Sequence, residues 1–425
     1  MAERIVFHVD ANSAFLSWTA VYRLQVLGES EDLREIPSVV AGDRESRHSI
    51  ILAKSIPAKK YGIHTGEPLF QALEKCPELR IVQPDYGLYV EASRHFVAML
   101  RQFSPDVEQY SIDEAWVDMT GTERLWGSPR LAAELMRQRI WEELGFTVNI
   151  GISSNKLLAK MAGDFEKPNK IHTLFPEEMK SKMWPLPVRD LFLVGSATEA
   201  KLKLLGIYTI GDLAQTDAAL LRRRLGKQGE TLWHFANGRN ADMVTPEPPE
   251  NKGYGNSVTT PKDITGTEEA HQVLLSLCET VGMRMRRDGK SGGCVTIHLR
   301  TNEFRHFSHQ SRLQGATNIT GELYREACRV FDEAWDRKTP LRQVGVQVTR
   351  LSKVPYQQFD LFSGMSPVQY ERRMRLDETV DALRDKFGED IIRRAKFTTN
   401  PAEHMAGGLS KARRTGVTKP VPAEF

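Results

Sequence analysis

The sequence predicts an α+β protein of several domains, on three observations. The chain has 425 residues, long enough for two to four separate cores. Its N-terminal half orders strand, helix, hairpin, helix and strand, a pattern that suits an antiparallel-rich sheet with helices on one face. After a proline-rich acidic stretch, Thr245-Pro246-Glu247-Pro248-Pro249-Glu250-Asn251, the hydrophobic pattern restarts as β-α-β-β-α-β. Composition excludes a disordered or fibrous chain, with 40% hydrophobic and 27% charged residues. No apolar run approaches a membrane span and the N-terminus enters a strand directly, so a cytoplasmic protein without membrane association is expected. Cys76, Cys278, Cys294 and Cys328 lack metal-ligand spacing and fit reduced thiols. The net charge of +3 is unevenly spread, with residues 1–179 acidic and residues 180–245 and 251–350 basic. That division fits metal chemistry in the first part and a grip on phosphate in the later ones, although uneven surface charge without a partner explains it too.

Arg4-Ile5-Val6-Phe7-His8-Val9-Asp10 reads as a buried strand ending in an acid. Ala11 opens a helix to about Leu27, with Ala11, Ala14, Phe15, Trp18, Val21 and Tyr22 on one face. A carboxylate ahead of a helix N-terminus lies beside unpaired N–H groups, which suits a metal-bound triphosphate. Ser49-Ile50-Ile51-Leu52-Ala53 is a short strand, followed by a segment carrying Lys54, Lys59 and Lys60, and Leu88 to Phe103 is an amphipathic helix. In Tyr110-Ser111-Ile112-Asp113-Glu114-Ala115-Trp116 two carboxylates adjoin in a strand whose Ala115, Val117 and Met119 face one way and Trp116 and Asp118 the other. Neighbouring acids disfavour a strand unless something compensates, and a divalent cation does so directly. Alone, the pair reads more readily as a solvated turn. Asp10 in a second strand changes that reading, because two acidic strands meeting in one sheet give a two-metal site for phosphoryl or nucleotidyl transfer.

A helix over about 128–144 and a strand over 147–152 follow, with Ser153 and Ser154 expected to cap a helix from Asn155 to Ala162 and Lys167 just beyond it. Residues 179–243 hold a helical hairpin pattern, Leu191-Phe192-Leu193-Val194-Gly195 and Leu202 to Ile207; Arg222-Arg223-Arg224 and Lys227 fit phosphate contacts and a solvated helix face equally. The last repeat of strands and helices places helices at 267–288 and 317–337 and strands at 293–301, 304–313 and 342–351, with Lys252, Arg300, Arg305 and Arg312 near the strands. Gln358-Phe359-Asp360-Leu361-Phe362 is an extended peptide with two terminal apolar anchors, and a helix near 367–387 precedes a basic tail expected to be mobile.

The ordered set Val9-Asp10 with Phe15, Ser111-Ile112-Asp113-Glu114-Ala115, and Gly151-Ile152-Ser153-Ser154-Asn155-Lys156 with Lys167-Pro168-Asn169 resembles the Y-family DNA polymerases, in particular the bacterial type that copies damaged templates. The resemblance implies a right-hand polymerase with a palm (1–20 and 76–178), small fingers (21–75), a helical thumb (179–243), a linker (244–251), a β-α-β-β-α-β little finger (252–352) and a tail (353–425). It implies a monomer that extends a primer on template DNA, with Asp10, Asp113, Glu114 and the Ala11 carbonyl holding two Mg²⁺. Deoxynucleotide triphosphates would meet Ser13, Ala14 and Phe15 amides, Lys59 and Lys167, with Phe15 also excluding a 2′-hydroxyl. Lys59 stands where the family commonly has arginine and Ile56 where it has tyrosine, so an exposed surface lysine is the competing reading of Lys59. Gly195 of the thumb hairpin, whose first glycine place holds Leu193, and Arg300, Arg305 and Arg312 would contact DNA. Gln358, Leu361 and Phe362 would bind the bacterial sliding clamp (the beta subunit). A noncatalytic scaffold of the same family and a palm-based nucleotide cyclase are the competing functions.

Overall fold

The computed structural model describes residues 4–43, 49–353, 367–397 and 404–405. Through the first half, chain order is β1 (Val6–Ala11), α1 (Ala14–Gln25), β2 (Ser38–Ala41), β3 (Ile51–Lys54), α2 (Ile56–Lys60), α3 (Leu69–Lys75), β4 (Arg80–Val82), α4 (Tyr86–Arg101), β5 (Val107–Gln109), β6 (Glu114–Asp118), α5 (Glu123–Trp126), α6 (Pro129–Leu144), β7 (Val148–Ser153), α7 (Lys156–Gly163), β8 (Ile171–Thr173) and α8 (Met179–Lys182). β1 is the middle strand of a five-stranded sheet ordered β5-β6-β1-β7-β8, antiparallel to both neighbours. Its near-continuous apolar run is explained by burial on both faces. Phe7 and Val9 face a core completed by Trp18 of α1, Phe96 and Leu100 of α4 and Met136 and Ile140 of α6, while Val6 packs with Trp116, Ala159 and Val244 on the opposite side.

The expectation of helices on one face is therefore corrected, because α7 covers the other. Gly151 makes that possible: a Cβ there would stand 1.9 Å from the Ala159 carbonyl oxygen. The capping serines are corrected as well. Ser153 belongs to β7, and the cap of α7 is Asn155, whose Oδ1 accepts from the Leu158 amide at 2.9 Å. α1 begins at Ala14 and not at Ala11, since Ala11 stays in β1 and Ser13 turns the chain with φ of 48°.

A second sheet, β3-β2-β4, reaches Val82 and so extends past residue 75, where the sequence reading ends the fingers. α2 is started by Ser55, whose Oγ accepts from the Ala58 amide at 3.1 Å. Four helices follow, α9 (Ser196–Lys203), α10 (Ile210–Gln215), α11 (Ala218–Leu225) and α12 (Lys227–Ala236). Their core, Leu202, Ile207, Ile210, Leu221 and Leu232, also includes Leu157, Leu158 and Met161. α7 thus has one face on the sheet and one in the helical unit. The connection onward is pinned at its start: Val244 is buried with Trp116, and the Thr245 amide donates to Glu108 at 2.8 Å.

The last unit is β9 (Gly253–Ile264), α13 (Thr267–Arg287), β10 (Ser291–Thr301), β11 (His306–Thr317), α14 (Thr320–Ala334) and β12 (Leu341–Ser352), the expected β-α-β-β-α-β. The sheet runs β11-β10-β12-β9 and is antiparallel throughout. Val295, Ile297 and Leu299 of β10 face α13 and α14, so the alternation of the strand turns Thr296, His298 and Arg300 outward.

The final helix, α15 (Pro367–Phe387), buries Tyr370, Asp377 and Arg384, one every second turn. It packs against α13 mainly by charge. Arg286 reaches Asp381 at 2.6 Å, and Arg384 reaches the buried Glu279 of α13 at 2.9 Å, where Arg394 and His404 also converge. Burial opposes charge on Glu279, but the approach of His404 and the charges of Arg384 and Arg394 outweigh it and hold the carboxyl at about 2. A lowered carboxyl pKa contributes stability above the ordinary value of 4.5, and that contribution is lost as pH falls from there toward about 2. Glu279→Ala leaves Arg384 buried without its counter-charge and should cost about 3–5 kcal/mol of stability in denaturant unfolding at neutral pH, with the deficit narrowing as pH falls through that window.

Candidate active site

Pairing between β1 and β6 sets Asp10 directly opposite Glu114, and the Ala11 amide donates to the Asp113 carbonyl at 2.9 Å. The three acids therefore gather at one end of the central strands. Asp113 closes the hairpin turn, its Oδ1 accepting from Ser111 Oγ at 2.6 Å. Strand alternation puts His8, Asp10, Glu114 and Trp116 on the α7 face of the sheet.

Each acid in the strands has its own cation. Lys167 Nζ lies 2.9 Å from Asp10 Oδ2 and 2.9 Å from Asp164 Oδ1. Burial pushes the Asp10 carboxyl above its ordinary range, and the Lys167 charge only partly offsets this. The Lys167 ammonium is disfavoured by burial, yet Asp10 and Asp164 together hold it above its usual value. Glu114 accepts from His8 Nε2 at 2.9 Å and Lys160 Nζ at 2.5 Å, both on Oε2. Burial works against charge there too, but the two donors prevail and hold the Glu114 carboxyl at about 2. Burial lowers His8, so its ring is a neutral donor through Nε2. Lys160 also stands 5.6 Å from the Tyr110 ring and 5.4 Å from the Phe192 ring, between sheet and helical unit.

Asp10 and Asp113 open onto a cleft of about 420 Å³ between the five-stranded and three-stranded sheets. The first turn of α1 (Ser13, Ala14, Phe15), Lys54, Ser55, Ile56 and Lys59 of the smaller unit, and Lys167 line it; Glu114 does not. Ser13 is held in the left-handed region, a strained conformation for a residue with a side chain, and it turns the start of α1 toward the acids. The Phe15 ring stacks on Tyr89 at 4.4 Å and 11°, which fixes it as a flat wall. Lys60 is exposed and absent from the lining.

Among the described residues, no three His, Cys, Asp or Glu side chains form a ready metal cluster. The donors are nevertheless of the right kind. Asp10, Asp113 and the end of β1 offer hard oxygen, and Asp10 is a buried carboxylate whose positive neighbour only partly balances it. The Lys167 ammonium occupies the place of a cation.

The residues expected to touch DNA are distributed differently. Arg300 and Arg312 sit on the outward face of the last sheet, in β10 and β11. Arg305 lies in the turn between these strands, 3.3 Å from Glu303, and not on a strand. Arg300 and Arg342 both lie over the Phe304 ring, at 4.5 and 5.1 Å. Leu193, and not Gly195, takes the left-handed backbone position of the helical hairpin, with φ of 70°. Gly195 has an ordinary φ of −91° and open space where a Cβ would go. Gln358, Leu361 and Phe362 lie outside the described residues.

His8, Lys160, Tyr89, Asn12 and Asn149 went unread in the sequence. His8 was within reach, since it stands two residues before Asp10 and shares its face. Lys160 and Tyr89 become visible only once α7 and α4 are packed.

A sheet carrying clustered acids beside a nucleotide-sized cleft, with a helical unit and a further antiparallel domain after it, defines a nucleic-acid polymerase. The impB/mucB/samB family model matches residues 9–164, its C-terminal domain model residues 251–361, and a thumb-domain model described for DNA polymerase-iota residues 189–240. The chain belongs to this family, the Y family of DNA polymerases, and is a DNA-directed DNA polymerase. It is 43% identical over 392 residues to DNA polymerase IV of Clostridium acetobutylicum, covering 92% of this chain and 98% of that one. It is 36% identical over 407 residues to DNA polymerase IV 2 of Bacillus subtilis, covering 94% and 96%. A solved Y-family chimera of Dbh and Dpo4 shares the fold at a TM-score of 0.69 and 22% identity, covering 81% of this chain and 98% of that one.

Because α7 carries Lys160 to Glu114, its seat on the sheet is testable. Gly151→Ala would drive a methyl group into the backbone of α7, 1.9 Å from the Ala159 oxygen and 2.4 Å from the Gly163 nitrogen. Thermal unfolding should report a loss of about 1–3 kcal/mol, with polymerisation reduced at temperatures where the variant remains folded.

Proposed function

We propose that the acids at the ends of β1 and β6 are the catalytic centre, and that the enzyme adds deoxynucleotides to a primer 3′ end with release of pyrophosphate. The observation that carries this is the Asp10–Glu114 register pair, with Asp113 turned into a cleft that also holds a helix N-terminus and three lysines. Two Mg²⁺ held by Asp10, Asp113, Glu114 and the Ala11 carbonyl would activate the primer hydroxyl and neutralise the triphosphate. The chain's own groups do the rest. The Ser13, Ala14 and Phe15 amides receive phosphate oxygens at the start of α1. Lys59 approaches from the smaller unit, and Lys167, already beside Asp10, extends to the phosphates as a compact point charge.

Phe15 lies under the sugar and excludes a 2′-hydroxyl, and its stack on Tyr89 keeps it from yielding. The three-stranded unit is the fingers, the five-stranded unit the palm, α9–α12 the thumb and β9–β12 the little finger. Fingers this small enclose the new base pair loosely, so the reading includes low fidelity, synthesis across damaged templates and no proofreading. The outward sheet face with Arg300 and Arg312, the Arg305 turn and the hairpin at Gly195 hold the DNA backbone. The sequence at Gln358, Leu361 and Phe362 supports tethering to the sliding clamp, which would supply processivity. The enzyme is read as a cytoplasmic monomer; among the described residues no helix is long and apolar enough to cross a membrane.

Primer extension by the purified protein with Mg²⁺ is the test. Asp113→Ala or Glu114→Ala should reduce incorporation by at least about 10³-fold while primer-template affinity changes little; extension at near wild-type rate would remove the acids from the mechanism. Phe15→Ala should admit ribonucleotides, lowering the deoxy-to-ribo ratio of kcat/KM by about 10²-fold or more; an unchanged ratio would reduce the ring to a packing role.

A further inference from the structure

Two buried side-chain amides, Asn12 in the cleft wall and Asn149 behind it, have no part in the chemistry above, and every polar atom of both is used. Asn12 follows the end of β1 and Asn149 lies in β7 opposite Asp10; they are 9% and 0% exposed. Asn12 Nδ2 donates to Asn149 Oδ1 at 3.1 Å. Asn12 Oδ1 accepts from Thr147 Oγ1 at 3.0 Å and from the Asn169 amide at 2.9 Å. Asn149 Nδ2 donates to the Gly163 carbonyl at 3.1 Å and the Glu166 carbonyl at 2.7 Å, and its Oδ1 also accepts from the Lys170 amide at 3.3 Å.

The partners share one property. Gly163 ends α7, and Glu166, Asn169 and Lys170 belong to the segment that runs from there to β8, with Lys167 among them. Irregular backbone of this kind has no ladder of its own to hold it. Here the residue before Lys167 and the second residue after it are each bonded to one of the amides. We propose that Asn12 and Asn149 are positioning residues that act as one unit to hold Lys167 at the triphosphate end of the cleft. The proposal rests on the reading of Lys167 as a phosphate contact.

The chemistry is specific to amides. Asn149 gives two N–H bonds to carbonyls and accepts two more on its oxygen, so aspartate there would turn acceptors toward Gly163 and Glu166. Asn12 must donate to Asn149 while accepting from Asn169, which aspartate also cannot do. The catalytic acids lie on neighbouring residues, but neither amide touches their carboxylates. Loss of the amides should therefore be felt at the nucleotide and much less at the primer.

The test is a double-mutant cycle on the full chain, read by single-nucleotide incorporation with Mg²⁺. Lys167→Ala should raise the KM for the incoming nucleotide. Asn149→Asp and, separately, Asn12→Asp should raise it about 10- to 100-fold while kcat changes by less than about 3-fold. In the Lys167→Ala background either change should add less than about 2-fold, because the side chain they position is gone. Thermal unfolding identifies any variant that loses the fold, and nucleotide affinity on a dideoxy-terminated primer gives a second readout for the one that stays folded. Full additivity, or a fall in kcat with KM unchanged, overturns the proposal. An unchanged KM in Lys167→Ala overturns instead the phosphate role of Lys167, and the proposal with it.

Discussion

Balancing negative charge at one end of two strands is the constraint on which the rest of this molecule depends. Asp10 and Glu114 face each other in register, Asp113 is adjacent, and water reaches them only partly. Carboxylates so placed repel each other and lose hydration, so the sheet end is stable only if cations are delivered to it. Two cations come from different elements, Lys160 from α7 and Lys167 from the segment beyond it, and His8 of β1 adds a neutral hydrogen-bond donor. α7 can deliver Lys160, and lead the chain on to Lys167, because Gly151 lets it lie flush against β7. The two charged pairs differ in character. Glu114 is firmly ionised and saturated on one oxygen, whereas Asp10 keeps a raised proton affinity and opens on the cleft.

Much of this was legible in one sequence. Strand-then-acid at Asp10 and the adjacent acids in an otherwise alternating segment marked the carboxylates that the fold brings together, because a rule-breaking local pattern marks where something else must compensate. The β-α-β-β-α-β order of the last unit followed from period-2 and period-3.6 patterning, with helix ends misjudged by only a few residues. What was not legible depends on packing. Serine at 153 and 154 looks like a helix start, but β7 continues through Ser153 and Asn155 takes the cap. Helices on both faces of the first sheet could not be read from strands, since Gly151 signals close approach without naming the partner. Leu193 in a left-handed conformation defies residue preference, and only its place where the hairpin's first glycine usually stands hints at it. The amide pair joins residues 137 apart in sequence, so it exists only in the fold.

The last unit solves a different electrostatic problem with the opposite means. Its sheet presents one face outward with His298 and Arg300 on β10, while α13 and α14 cover the other with an apolar core. Against α13 the terminal helix α15 turns Asp377 and Arg384, which work through Arg286 and Glu279. An apolar stripe would tolerate sliding, but a buried ion pair fixes register because a displaced partner leaves a charge uncompensated.

The covered start of the interdomain connection has a mechanical consequence. With Val244 under Trp116 and Thr245 bonded to Glu108, the connection proper runs from Pro246 to the start of β9 at Gly253, its far end held to the last unit by Glu250 with Lys290 and Lys353. Seven residues span at most about 25 Å when fully drawn out, so the downstream domain moves on a short leash. Its anchor lies on the strand that carries Glu114, two residues away at Trp116, so tension on the leash arrives beside the clustered acids.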